Sequence, residues 1–229
     1  MFHDFYECFI ADGMYKMYLQ GLLNTFLIAL GAALIGLVIG IVVTALRIMP
    51  KTNFIVKIFD WIARLYVTII RGTPMVLQLF ICYFVIFASM KHFANGILVC
   101  SITFGINSGA YMSEILRGGI LSVEKGQMEA GRSLGLGWTA TFFRIILPQA
   151  LKSAVPTMFN EFIMLIKETS VAGYVGINEL TKVREYVTLQ TGGQLYMSLF
   201  IIAIMYLIIV LGLQQVQKYI ERRMTRSER

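Results

Sequence analysis

The stretch EAGRSLGLGWTATFFRIILP, residues 129–148, decides how this chain is read. It is polar and punctuated by glycine, yet apolar segments long enough to sit in lipid flank it on both sides. Gly135 and Gly137 tolerate backbone conformations that other residues avoid, so a short helix over 127–134 is expected to end there. Trp138 and Thr139 then open a second helix, with Thr139 as the expected N-cap. The product is a compact helix–turn–helix at the cytoplasmic face. It presents Met128, Leu134, Leu136 and Trp138 beside Glu129, Arg132 and Arg144. Composition alone favours an ordinary amphipathic loop between two membrane helices.

Working outward, the rest of the chain is membrane protein. At 229 residues, 57% hydrophobic and with a mean hydropathy of +0.71, it is too apolar for a water-soluble domain. Only 14% of residues are charged, and they cluster between apolar runs. A bilayer span needs ~20 apolar residues, and several runs exceed that. The formal charge of +7 does not point to nucleic acid, because the basic residues border apolar segments as the positive-inside rule requires. Cys8, Cys82 and Cys100 have no metal or redox spacing; Cys82 and Cys100 read as inert packing residues. The first twelve residues carry Asp4, Glu7 and Asp12 rather than a basic region, so no cleavable signal is expected.

Five spans are expected in an all-α integral membrane fold, a single transmembrane domain over 1–229. Residues 1–16 form a short interfacial entry. The first span, 18–48, contains Gly36-x-x-x-Gly40 with Ala29, Ala32 and Ala33, small residues that let helices approach closely in lipid. The run 54–90 is too long for one straight span and is broken at Arg71-Gly72-Thr73-Pro74. It reads as one bent or discontinuous helix, with two short elements as the alternative. A turn at 91–96 leads to the third span, 97–117, where Gly105-x-x-x-Gly109 offers a second packing face. The cytoplasmic segment 122–144 follows, then spans at 145–171 and 195–213 separated by a polar loop over 178–194.

Charge sets the orientation. Arg47, Lys51, Lys57, Arg64, Lys125, Arg132, Arg144 and Lys152 lie on one side, with Lys218, Arg222, Arg223, Arg226 and Arg229 in the tail. The other side holds Lys16, Lys91, Lys182 and Arg184, the last two balanced by Glu179 and Glu185. This asymmetry places the N-terminus outside and the C-terminus in the cytoplasm.

Ionisable groups at membrane depth cost about 2.5–3.5 kcal/mol each, so they need partners or a function. Glu114 and Arg117 are three apart on one helix face and read as a pair. Arg71, Gly72, Thr73 and Pro74 open the backbone, and a freed helix start there, with the Thr73 hydroxyl and Arg71, suits a carboxylate. The same residues also read as a plain proline kink with Arg71 snorkelling or ion-paired. Asn160 and Glu161 precede Lys167, Glu168, Thr169 and Ser170 on the fourth span; Glu161 suits an ammonium or cationic side chain. Glu161 and Glu168, seven apart, share a helix face.

Several strings carry a family resemblance. Glu129-Ala130-Gly131, then Gly135, then Ile145-Ile146-Leu147-Pro148 match the EAA motif of ATP-binding-cassette importer permeases at every interval. The one departure is Gly131 in place of the second alanine, expected to weaken the helix without blocking a close contact. RGTPMVLQLF, INSGAYMSEILRGGILSVEKGQMEAGRSLG, LPQALKSAVP and NEFIMLIKETSVAGYVG resemble the polar-amino-acid branch, the histidine/glutamine/arginine type, over about residues 15–215.

The resemblance implies a type I ABC importer permease fold that dimerises, with a second copy or a related permease. It also implies cytoplasmic ATPase subunits and an external substrate-binding protein, in a prokaryotic plasma membrane. The coupling segment that docks on the ATPase then comprises Gln127, Glu129, Ala130, Gly131, Arg132, Ser133, Leu134, Gly135, Leu136, Gly137 and Trp138. Substrate-contacting positions implied by the matching motifs are Thr73, Gln78, Asn160, Glu161 and Thr169, with a cationic amino acid, glutamine or cystine as cargo.

No G-x-x-x-x-G-K-[ST] occurs, so ATP and Mg belong to a partner and this chain is expected to bind no cofactor and catalyse nothing itself. His3 and His92 are too few, and too near the outer surface, for a metal site or a buried base. An ion- or proton-coupled secondary transporter using Glu161 or Glu168 is the alternative; the absence of an internal repeat counts against it.

Overall fold

In the computed structural model the described residues, 2–88 and 95–226, are helical with no strand among them. The turn expected at 91–96 falls mostly at 89–94, outside the described residues, as do Lys91, His92 and Arg229. A short α1 (Phe2–Phe5) leads through a π turn, Tyr6–Ile10, and a 3-10 turn, Ala11–Gly13, into α2 (Tyr15–Ile48). Then come α3 (Phe54–Gly72), α4 (Met75–Ile81) with a π turn at Cys82–Ile86, and α5 (Gly96–Leu121). The polar stretch forms α6 (Lys125–Ser133) and α7 (Trp138–Thr141), followed by a π turn at Phe142–Ile146 and α8 (Leu147–Glu168). A 3-10 segment, Thr169–Val175, precedes α9 (Val183–Gln190) and α10 (Leu195–Arg226).

Three of these bounds differ from the sequence expectation. The polar loop over 178–194 contains α9, because Val183 and Val187 are buried against Tyr18, Ile201 and Ile202 and draw the segment into a helix. The last helix continues past the span expected to end at 213, as far as Arg226, since residues 214–226 contain no glycine or proline to stop it. Thr139 is not an N-cap. Gly137 takes the extended cap conformation, α7 starts at Trp138, and Thr139 lies inside it.

Two helices among the described residues, α2 and α10, are long and apolar enough to cross a membrane, or three crossings exist if the broken α3–α4 pair is one span. At about 1.5 Å per residue, α5 and α8 also have the length, but polar side chains dilute them: α8 alone carries Lys152, Glu161, Lys167 and Glu168. On α2, exposed Leu19, Leu23, Leu27, Leu30, Leu34 and Val38 recur every three or four residues and form one stripe. The opposite face buries Thr25, Ile28, Ala32 and Val43. An apolar stripe that continuous meets lipid, not water.

The chain divides into two compact units. The first comprises Met1–Ile35, Thr73–Gly105 and Phe162–Gln214. One of its cores packs Ile28, Ala32, Leu79, Cys100, Phe104 and Leu165; the other packs Tyr18, Leu180, Val183, Val187, Ile201 and Ile202. Cys100 is thus a packing residue, and Cys8 is buried in the second core. Asn24 donates to the Asn178 carbonyl at 2.7 Å and Leu180 N–H to the Thr25 hydroxyl at 3.2 Å, which fastens the loop before α9 to α2.

The second unit comprises Gly36–Gly72, Ile106–Glu161 and Gln215–Arg229. Lipid offers no hydrophobic drive between helices, so contact depends on close approach. The expected small residues provide it. A Cβ at Gly40 would sit 2.7 Å from Met112, one at Gly36 3.0 Å from Ser108, and one at Gly109 2.6 Å from Ile39. These glycines seat α2 directly on α5.

Candidate functional site

The turn between α6 and α7 is built as the glycines require. Gly135 has φ +84°, the left-handed region. Leu136 N–H reaches the Gly131 carbonyl at 3.2 Å and Gly135 N–H the Arg132 carbonyl at 3.0 Å, the paired bonds of a Schellman cap. Gly131 is buried, and a Cβ there would meet Thr141 Cγ2 at 2.5 Å. Glycine at 131 thus leaves the close contact open, and the bare backbone is what lets α6 lie this close to α7. Trp138 stacks on Phe142 with ring centroids 5.3 Å apart and planes 3° off parallel.

Around this frame Gln127, Glu129, Ala130, Arg132, Ser133, Gly135 and Gly137 are exposed and Leu136 is half-buried. Leu134, at the turn, is 81% exposed. The cap thus holds an apolar side chain outward in a segment that also exposes Glu129 and Arg132.

At the second polar element, α3 ends at Gly72 and α4 starts at Met75, leaving Thr73 and Pro74 as the break. In the first unit, Gln78 Nε2 donates to the Thr73 hydroxyl at 2.8 Å and the Thr73 carbonyl at 3.1 Å. Thr169 is buried and its hydroxyl donates to the Ile166 carbonyl at 2.7 Å, inside its own chain turn. Ser170 is half-buried and lines a cavity of about 480 Å³ with Val76, Glu179, Thr181 and Lys182. Glu168 is half-buried.

In the second unit, the Arg71 guanidinium lies 5.1 Å above the Tyr111 ring, a cation–π contact that the sequence did not announce. Asn160 is exposed, while Glu161 is buried and accepts from Ser108 Oγ at 2.9 Å. Glu114 pairs with Arg117 at 2.7 Å, as its spacing implied, and also with Arg47 from α2. Asp60, buried, holds Lys51 at 2.5 Å and Arg64 at 3.1 Å.

Glu179 departs furthest from the sequence reading. It does not balance Lys182 or Arg184; both of those reach Glu185, at 2.6 and 4.0 Å. Its carboxylate instead accepts the backbone N–H groups of Thr181 and Lys182, each at 2.7 Å, and the Tyr206 hydroxyl at 3.3 Å. Burial pushes its carboxyl up to about 7, although these donors pull the other way. A carboxylate four residues before the start of α9, within reach of the amides of the turn between, is the sequence signal that finds it.

Comparison with known proteins agrees with the architecture. Residues 36–226 match the family of binding-protein-dependent transport system inner membrane components. The chain is 37% identical over 206 residues to the L-cystine transport system permease protein TcyB of Bacillus subtilis (strain 168), covering 90% of this chain and 86% of that one. It is 35% identical to the arginine transport system permease protein ArtQ of the same organism, covering 92% and 93%. A putative glutamine transport system permease protein, GlnP of Rickettsia typhi, is 34% identical over 90% and 92%. The structure is similar to that of an amino acid ABC transporter crystallised with histidines, at TM-score 0.83 and 30% identity over 91% and 94% of the two chains. It also shares the fold of a chain of the MetNI methionine ABC transporter, at TM-score 0.78 and 19% identity. This chain belongs to the family of binding-protein-dependent transport system inner membrane components.

Proposed function

We propose that this family member is the permease subunit of an ATP-driven ABC importer for a polar amino acid. The observation that carries the reading is the capped α6–α7 turn with Leu134 held outward, set in a chain whose long apolar helices suit a bilayer. Relatives named for cystine, arginine and glutamine transport support the substrate class. In this reading five spans cross the membrane at 18–48, 54–90, 97–117, 145–171 and 195–213, with the N-terminus outside and residues 122–144 in the cytoplasm. Residues 127–138 dock on an ATPase subunit that supplies ATP and Mg. An external binding protein delivers cargo, and a second permease completes the transporter.

The mechanism is alternating access. ATPase closure pulls on the α6–α7 element, and the helices rearrange so that cargo is exposed to one side and then the other. Proposed substrate contacts in the first unit are Thr73, Pro74, Gln78, Glu168, Thr169 and Ser170. In the second unit they are Arg71, Gly72, Asn160 and Glu161.

The test is reconstitution of this chain in proteoliposomes with its ATPase and binding protein. Uptake should require ATP and should be lost in Glu129→Lys without loss of the folded chain. Uptake that survives ATP depletion and collapses with the proton gradient would transfer the chain to the secondary transporters.

A further inference from the structure

In the second unit a cavity of about 570 Å³ opens where α2 and α5 end and α6 begins. Its charged lining is Arg47, Arg64, Arg117 and Lys125, against the single carboxylate of Glu124. The nearby acids do not cancel that surplus. Glu114 is spent on Arg47 and Arg117 together, and Asp60 shares one oxygen between Lys51 and Arg64. Arg47 Nε is buried with no hydrogen-bond partner among the described residues, and an orphaned buried donor is costly unless something accepts from it. The rest of the wall is apolar, including Trp138, Phe142 and Ile146. Basic groups over an apolar floor, at the ends of membrane helices, match an amphiphile with an anionic head.

We propose that this cavity holds the phosphate of an anionic phospholipid headgroup, with the first carbons of its acyl chain against Trp138, Phe142 and Ile146. The guanidinium groups of Arg47, Arg64 and Arg117 have donors to spare and grip phosphate oxygens, while Lys125 adds a point charge. Because Lys125 opens α6 and Trp138 opens α7, the lipid touches both helices of the coupling element and fixes their resting geometry. That the lipid belongs to the cytoplasmic leaflet rests on the placement of residues 122–144 proposed above; the chemistry of the cavity does not.

The chain has two tryptophans, and Trp61, exposed on α3, does not line the cavity. A Trp61→Phe variant in zwitterionic vesicles therefore makes Trp138 the sole reporter. Phosphatidylglycerol brominated close to the glycerol should quench it more than equally brominated phosphatidylcholine at the same mole fraction. Each cation contributes about fivefold enrichment of the anionic lipid. Arg64→Gln with Lys125→Gln should abolish the difference, while Arg132→Gln with Arg144→Gln, exposed cations outside the cavity, should leave it. Equal quenching by the two lipids, or equal losses in the two double variants, overturns the proposal. So does a difference erased by inorganic phosphate at constant ionic strength, which would assign the cavity to a free anion. Transport plays no part in the readout, so failure of the importer reading would be seen separately.

Discussion

Ser108 donates to Glu161 at 2.9 Å with both side chains buried, so a helix-borne carboxyl is held by a neighbouring helix within one unit. Ser108→Ala removes one donor from a buried carboxyl, at a cost of about 1–3 kcal/mol. Unfolding of the purified chain in detergent should show that loss. Ser108→Thr, which keeps the hydroxyl, should show less of it.

The Thr73 hydroxyl and carbonyl together receive the Gln78 amide across the helix break. Thr73→Val keeps the shape and deletes only the hydroxyl. If these side chains contact cargo, apparent KM for uptake should rise about tenfold, equivalent to ~1.4 kcal/mol, with the maximal rate little changed. A drop in the yield of folded chain at unchanged KM would mark the pair as scaffolding.

Gly131 and Thr141 define the spacing of the coupling element. Gly131→Ala places a methyl 2.5 Å from Thr141 Cγ2, so α6 must move by about 1 Å to reach ordinary contact. ATP-dependent uptake should fall while the helix itself gains propensity, by about 1 kcal/mol. Pairing it with Thr141→Ser, which deletes the obstructing methyl, should restore coupling; a double variant no better than the single would refute the steric account.

Glu179 makes stability depend on pH. With its carboxyl at about 7 when folded against a usual 4.5, the folded chain keeps a proton that the unfolded chain has released. Its stabilising share is complete below pH 4.5 and is lost as pH rises through 7, in total on the order of 3 kcal/mol. The unfolding free energy of the wild type minus that of Glu179→Gln should decline across this window. A flat or rising difference would show that the carboxyl is not titrating where its burial puts it.

Features governed by backbone chemistry over a few residues were legible in the sequence. Gly135 needed a left-handed cap, Pro74 broke a helix, and Glu114 stood one turn from Arg117. What escaped depended on distant partners. Arg47 joins Glu114 from 67 positions away, and nothing local in VREYVTLQ demands α9 until Val183 and Val187 find their core. Glu179 was misread because charge counting pairs it with Lys182, whereas the tight turn offers it two amides at shorter range. At Gly131 the motif was legible but its fit was not, since the obstacle lies ten residues on.

The glycine seam between α2 and α5 also bears on descent. At Gly40 the absent side chain is what makes room for Met112, and at Gly109 it is what makes room for Ile39. Size at one position is therefore not a character that can drift alone: a lineage can enlarge residue 40 only by first shrinking residue 112. Such couples pass between generations as joint traits, and across a set of descendants their volumes should trade off one against the other.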